Sequence, residues 1–207
     1  PSSIYTPGRK ARAALDDARD TLARALGCES RELVFTSGGS EADNLAVRGV
    51  ASRTRDRGNR IICSQVEHHA VLHTCQDLER HGFEVTYLAV DRYGRVSVDA
   101  LAAALRPDTL LVSVMTGSNE VGTLEPVREL AALTHEKSSA YFHTDAVQAF
   151  GKVPVAVADL GVDLLTISAH KIYGPKGVGC LYVRMGTRID PMITGGGHER
   201  NRRAGTE

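Results

Sequence analysis

Ser168-Ala169-His170-Lys171-Ile172-Tyr173-Gly174-Pro175-Lys176-Gly177 is the stretch whose reading decides the fold. Just before it, residues 162–167 (Val-Asp-Leu-Leu-Thr-Ile) form a short apolar, β-prone run, and just after it residues 178–183 (Val-Gly-Cys-Leu-Tyr-Val) form another. This order places Lys171 at a strand end, in a polar, glycine-rich connection between two buried strands. A lysine there is expected near the sheet edge, desolvated and flanked by His170. Burial and a neighbouring positive charge both lower a lysine pKa, giving a nucleophilic amine suited to a Schiff base. Taken alone, a lysine in such a Gly-Pro loop is more often simply solvated. What decides between the two readings lies upstream, above all at Asp145 and Gln148.

Working outward, residues 140–145 (Ala-Tyr-Phe-His-Thr-Asp) read as a strand ending in a carboxylate, followed by Ala146-Val147-Gln148. A strand-end carboxylate suits a buried cationic partner, because an acid rarely stays buried alone. Residues 109–115 are a near-continuous apolar run, hence a central strand. It leads into Thr116-Gly117-Ser118-Asn119-Glu120-Val121-Gly122, and Pro126 opens a helix to about Lys137. Residues 60–64 form a strand that meets Val66-Glu67-His68-His69-Ala70, the start of a helix running to about Gly82. Residues 83–88 alternate as a strand, Asp91-Arg92-Tyr93-Gly94 is a turn, and a short helix over 98–105 ends at Arg106-Pro107.

Nearer the N-terminus, residues 8–27 carry alanines and leucines at helical spacing with Gly27 as the stop. Residues 32–36 are a strand running into Ser37-Gly38-Gly39-Ser40-Glu41, with a second helix from about Ala42. The glycines allow close backbone approach, and the free N–H groups of a helix start favour an anion. Ser40 adds a hydroxyl donor, although an N-cap serine would look the same. The tail from Gly195-Gly196-Gly197-His198-Glu199-Arg200 onward has no periodicity and reads as a loop.

Composition narrows the function classes. The chain has 207 residues, 25 Lys+Arg and 25 Asp+Glu, so its formal net charge is zero. The arginine clusters at Arg53-Thr54-Arg55-Asp56-Arg57 and Arg200-Asn201-Arg202-Arg203 lack interleaved aromatics, which argues against a nucleic-acid partner. No apolar run approaches the roughly 20 residues of a membrane span, and Pro1-Ser2-Ser3-Ile4 carries no signal-peptide pattern. Cys28, Cys63, Cys75 and Cys180 are scattered without CxxC spacing. They read as small hydrophobes of a reducing, cytoplasmic compartment. His68, His69 and His73 have no Cys or carboxylate partner at ligand spacing, so no metal is expected.

Strands alternate with helices almost throughout, which predicts a three-layer α/β/α domain over residues 1–207 with a mostly parallel central sheet. In such a sheet Gly39, Ser40, His68, Asn119, Asp145, Gln148, Ser168, His170 and Lys171 all fall at the carboxyl edge, where ligands bind. They supply one amine, one carboxylate, hydroxyls near a helix start, a stackable imidazole and two amides. Pyridoxal 5'-phosphate requires such a set: a lysine for the aldehyde, an acid for the ring nitrogen and donors for the phosphate.

Five segments then resemble, in order, those of the cysteine desulfurases, within the class V aminotransferase group of fold-type I pyridoxal-phosphate enzymes. They are residues 35–44 (Phe-Thr-Ser-Gly-Gly-Ser-Glu-Ala-Asp-Asn), 67–72 (Glu-His-His-Ala-Val-Leu), 145–148 (Asp-Ala-Val-Gln), 168–177 and 195–199 (Gly-Gly-Gly-His-Glu). The similarity covers nearly the whole chain, and it implies the large, cofactor-binding domain. By this resemblance Lys171 would carry the cofactor as a Schiff base and Asp145 would keep the pyridine nitrogen protonated. Gln148 and Asn119 would bond the ring-oxygen side, and His68 would stack on the ring and handle protons. Gly39, Ser40, Ser168 and His170 would hold the phosphate. Thr206 matches a residue that reaches the phosphate of a partner subunit, which implies a homodimer. The implied reaction converts L-cysteine to L-alanine, with sulfur passed as an enzyme persulfide to acceptor or scaffold proteins, as in iron–sulfur cluster assembly or thio-modification.

Two departures stand out. The family's phosphate turn is usually Gly-Ala-Thr where this chain has Gly38-Gly39-Ser40, and its asparagine pair is here Ser118-Asn119. Family members are nearly twice as long. By the resemblance, their small domain, the persulfide-forming cysteine and the arginine for the substrate carboxylate are expected outside this chain. A selenocysteine or cystine lyase, a class V aminotransferase, and a non-enzymatic binding or dimerisation module are the alternatives.

Overall fold

The computed structural model describes residues 5–206. Residues 1–4, on which the reading of the N-terminus rests, lie outside the described residues. Helix α1 (Thr6–Leu26) has a proline in its first turn and ends at Gly27, whose φ of 70° is left-handed. The N–H of Cys28 then donates to the Ala23 carbonyl at 3.0 Å and closes the helix end.

Strand β1 (Leu33–Thr36) leads into helix α2 (Gly39–Arg53), and β2 (Arg60–Ser64) into α3 (His69–Arg80). Strand β3 (Glu84–Leu88), the short helix α4 (Val98–Ala104), β4 (Thr109–Ser113) and α5 (Val127–Lys137) follow. The chain continues through β5 (Tyr141–Asp145), α6 (Val157–Leu160), β6 (Leu164–Ser168) and β7 (Gly179–Val183).

The seven strands form one sheet in the order β1-β7-β6-β5-β4-β2-β3. Strands β6, β5, β4, β2 and β3 run parallel, whereas β7 is antiparallel to both β6 and β1. The connection between β6 and β7 holds only a 3-10 turn (Ala169–Lys171), too short for the helical crossover that a parallel return needs. The lysine segment is therefore the bend of an antiparallel pair.

Both faces of the sheet are covered, so its strands are apolar on both sides. Ile62, Val112, Phe142, Leu165 and Tyr182 pack on one side with Ala23 and Leu26 of α1, Leu101 of α4 and Leu130 of α5. Ile61, Cys63, Leu111, Leu164 and Leu181 pack on the other with Ala46 and Val50 of α2 and Val71 and Cys75 of α3. Neighbouring residues such as Ile61 and Ile62, or Leu164 and Leu165, point to opposite layers, as strand geometry dictates. The three-layer α/β/α reading is thus met. No helix among the described residues is long and apolar enough to cross a membrane.

The glycine-rich tail is held to this frame. Glu199 and Arg19 of α1 form a buried ion pair at 2.7 Å, and the same carboxylate accepts the Phe35 N–H at 2.9 Å. Glu199, Arg200 and Asn201 all have positive φ, so an ordered bend stands where periodicity alone predicts a plain loop.

Candidate active site

The carboxyl ends of β1, β2, β4, β5 and β6 share one edge of the sheet, and a cavity of about 560 Å³ opens there. That size suits a small organic ligand. Gly39, Ser40, His68, Asn119, Asp145, Gln148, Ser168, His170 and Lys171 all line it, so the fold brings together nine of the ten expected site residues. Thr206 is exposed and is not among the residues lining this cavity.

The end of the cavity suited to an anion is built by the start of α2. The sequence predicts that helix from about Ala42, whereas the first turn begins at Gly39 with Gly38 as N-cap and no side chain capping it. The early N–H groups of a helix lack intrahelical partners, and the helix dipole adds to their pull on an anion. Two contacts hold the turn in place. Glu41 accepts the Ser37 N–H at 2.7 Å and pairs with Arg203 at 2.8 Å, and the Arg203 contact and the Ser37 hydrogen bonds hold its carboxyl below the usual range against the pull of burial. Gly179 lets β7 pass against Gly38, since a Cβ there would lie 2.4 Å from the Gly38 carbonyl carbon. Ser168, at the end of β6, faces the same end, its hydroxyl 2.9 Å from His170 Nδ1.

Helix α3 starts at His69 rather than at Val66, because His68 is its N-cap and accepts the Ala70 N–H on Nδ1 at 3.1 Å. That bond fixes the imidazole, which lines the cavity. His69 and His73 instead stack on each other, ring centroids 4.8 Å apart.

Asp145 is buried at the end of β5, where one carboxylate oxygen accepts the Val147 N–H at 2.8 Å. Burial pushes its pKa up, while that hydrogen bond and the nearby His68 pull it down. Lys171 departs from expectation. The sequence predicts a desolvated amine, yet Lys171 is exposed, because the bend between β6 and β7 projects it over the open cavity. Asn119 and Gln148 are turned to near neighbours: Asn119 donates to Glu120 at 2.6 Å and Gln148 accepts from Lys152 at 2.8 Å.

Three buried polar groups beneath the cavity escaped the sequence reading. Asp43 of α2 lines the cavity floor, 1% exposed. Glu67, 4% exposed, accepts the Ser64 hydroxyl at 2.6 Å and the Met115 N–H at 2.8 Å. His143, fully buried, lies between the hydroxyls of Ser113 at 2.8 Å and Thr166 at 3.1 Å. Burial lifts the Glu67 pKa to about 8 and lowers that of His143 to about 3. The cue for Asp43 is its place in the apolar stripe Gly39, Asp43, Ala46, Val50, at helical spacing.

The cavity lining holds no cysteine among the described residues. Cys63, Cys75 and Cys180 are buried, and burial with Glu32 and Glu29 nearby raises the Cys28 thiol to about 11. All four are inert by environment.

The donor set fits pyridoxal phosphate on this chain's own geometry: a free amine over the cavity, a buried carboxylate at its floor, an uncapped helix start at one end and an oriented imidazole between them.

Comparison with known proteins accords with this site. The aminotransferase class-V family model matches residues 1–205. A cysteine desulfurase IscS from Dictyoglomus turgidum is 56% identical over 207 residues, all of this chain and 52% of the relative. The solved structure of SspA in complex with cysteine superposes with a TM-score of 0.96 at 41% identity, covering 100% of this chain and 60% of that one. DndA from Streptomyces lividans superposes with a TM-score of 0.91 at 42% identity, covering 99% and 59%. The chain spans about half the length of the curated relatives it matches.

Proposed function

The chain belongs to the class-V aminotransferase family, and from that premise we propose that it is the cofactor-binding large domain, over residues 1–207, of a pyridoxal-phosphate-dependent cysteine desulfurase. The observation that carries the reading is Lys171, an amine held over the same cavity that has Asp145 at its floor and the α2 N-terminus at its end. Such enzymes convert L-cysteine to L-alanine and hand the sulfur to acceptor proteins. Cytoplasmic placement and a homodimer, with Thr206 reaching the partner's phosphate site, belong to the same proposal.

When bound, pyridoxal phosphate supplies an electron sink that stabilises negative charge on the amino-acid carbons. Lys171 would hold its aldehyde carbon, and Gly39, Ser40, Ser168 and His170 its phosphate. Asn119 and Gln148 would turn from their neighbours to the ring oxygen. The Asp145 carboxylate would keep a proton on the ring nitrogen, since an anion close to a cationic N–H favours the charged form. His68, steered by its N-cap bond, would lie over the ring; because Nδ1 accepts the Ala70 N–H, the neutral imidazole would carry its proton on Nε2, from which it could be donated toward the substrate.

The test is spectroscopic. Addition of pyridoxal phosphate should give a visible band, and borohydride should fix the adduct on the peptide bearing Lys171. Lys171→Ala should lose both, and L-cysteine should perturb the wild-type band. A variant that keeps the band, or an adduct on another lysine, overturns the assignment.

A further inference from the structure

Below the cavity, two acids approach each other with no buried cation between them. Carboxylate oxygens of Asp43 and Asp145 and a ring nitrogen of His68 all lie within 4.8 Å of one another. Asp43 Oδ1 is fully enclosed and has no hydrogen-bond partner among the described residues. Its nearest basic group, His143 Nε2, is 3.6 Å away, beyond hydrogen-bond reach. Both ring nitrogens of His143 are already engaged by hydroxyls, a setting that suits the neutral imidazole.

The remaining ionisable groups do not neutralise Asp43. Glu67, ahead of α3, is a third acid, and it acts with Asp145 and burial to raise the Asp43 pKa well above the carboxylate range; the Thr166 hydroxyl of β6 works the other way. Along α2, Glu41 is paired with Arg203 and Arg48 with Asp77 of α3. Cys63 of β2 and Cys75 of α3 lie in the same apolar layer, and the Cys75 contact with burial raises the Cys63 thiol. Lys171 is at the open rim. Two carboxyl groups this close in a low-dielectric site cannot both ionise cheaply, and they titrate as a pair.

We infer that Asp43 is a positioning residue that shares a single proton with Asp145, and that it retains this proton when Asp145 faces a cationic ring nitrogen. The pair then carries one negative charge with or without ligand, so binding a pyridinium does not force a second anion into the core. The balance is simple: the proton moves within the pair from Asp145 oxygen to Asp43 oxygen, and the ring nitrogen keeps its own. The second half of this inference rests on the pyridoxal phosphate reading; the first half does not.

Carbon-13 labelling of the aspartate γ-carboxyls tests it, because Glu67 and Glu125 are then silent. Resonances are assigned by loss in Asp43→Asn and, separately, in Asp145→Asn. In the cofactor-free protein the two should titrate together in two steps and hold one proton between them at neutral pH. In Asp145→Asn the Asp43 midpoint should fall by at least about one pH unit, the size of coupling that defines such pairs. Should Asp43→Asn fail to fold, wild type and Asp145→Asn still decide the point. An Asp43 resonance that is fully carboxylate at neutral pH, or that ignores Asp145→Asn, overturns the inference. After addition of pyridoxal phosphate, Asp145 should become carboxylate while Asp43 stays protonated, and loss of the pair's one proton likewise overturns it. If no visible band and no Lys171 adduct form, the cofactor reading fails while the cofactor-free titration still decides the pair.

Discussion

Glu67 shows what a single buried acid does to this molecule. Its folded pKa of about 8 lies above the ordinary 4.5, so between those values the folded state binds more protons than the unfolded. The associated stability is full below pH 4.5 and is lost as pH rises toward 8, at up to about 1.4 kcal/mol per pH unit for one proton. His143 acts oppositely: with a folded pKa of about 3 against 6.5, it costs stability as pH falls from 6.5 toward 3. Denaturation of Glu67→Gln should therefore show a flatter decline than wild type between pH 6.5 and 8, with the acid limb unchanged. An identical alkaline slope in the two proteins would mean that Glu67 is ionised when folded. Neither group is legible in the sequence, because nothing in a string of residues says which side of a strand end faces a closed floor. Lys171, Asp145 and His68 were legible because each ends an apolar run, where chemistry-bearing side chains concentrate in parallel sheets.

Among the elements, β7 carries the most constraint per residue. It pairs with β6 along its whole length and with β1 from Gly179 to Tyr182, and its first residue passes the turn that opens α2. Gly179→Ala puts a methyl 2.4 Å from the Gly38 carbonyl carbon, so backbone must shift. Overpacking of this kind costs about 1–3 kcal/mol. The displaced α2 start should also weaken pyridoxal phosphate binding, read by absorbance titration. Full affinity with lowered stability would show that the α2 turn does not hold the phosphate. The strands themselves were readable from their apolar runs, and only their direction was not. The ten residues between β6 and β7 hold no α-helix, and that shortness is the physical reason for the antiparallel return. The starts of α2 and α3 moved by about a turn from expectation because glycine and histidine are weak helix formers, and tertiary packing at the cavity overrode propensity there.

At the scale of the whole molecule, the ion pair between Arg19 and Glu199 joins the two ends of the chain. Side-chain exposure is 6% for the arginine and 2% for the glutamate, so solvent screens it little. Removing the glutamate leaves a buried guanidinium without its carboxylate, though still bonded to the Leu33 carbonyl, at a cost of about 3–5 kcal/mol. Glu199→Ala should lower the melting temperature by an amount matching that loss and should expose the segment from Gly195 onward to limited proteolysis. Glu199→Gln keeps an acceptor for the Phe35 N–H and should fall between. Equal stability of all three proteins would show that the clamp contributes nothing net. The glycine run at 195–197 does read as a loop in sequence, since the bend's order comes from a contact with α1 that no local pattern encodes.

Among the described residues, strand β1 meets one neighbour, β7, across almost their full span: Leu33 pairs with Tyr182, and Phe35 with Cys180. Every other strand pairs with one that is closer in sequence. Closing so long a loop is entropically expensive, so this pairing is expected to form late. A ribosome has therefore to release nearly all of the described residues before α1, β1 and the anion-binding turn can settle against the sheet. The parallel strands will have assembled by then around a half-built pocket, with the edge of β6 or β7 open to other chains. If the pocket takes the proposed cofactor, its capture would report completed folding, because the two walls of the pocket coexist only once β1 has paired with β7.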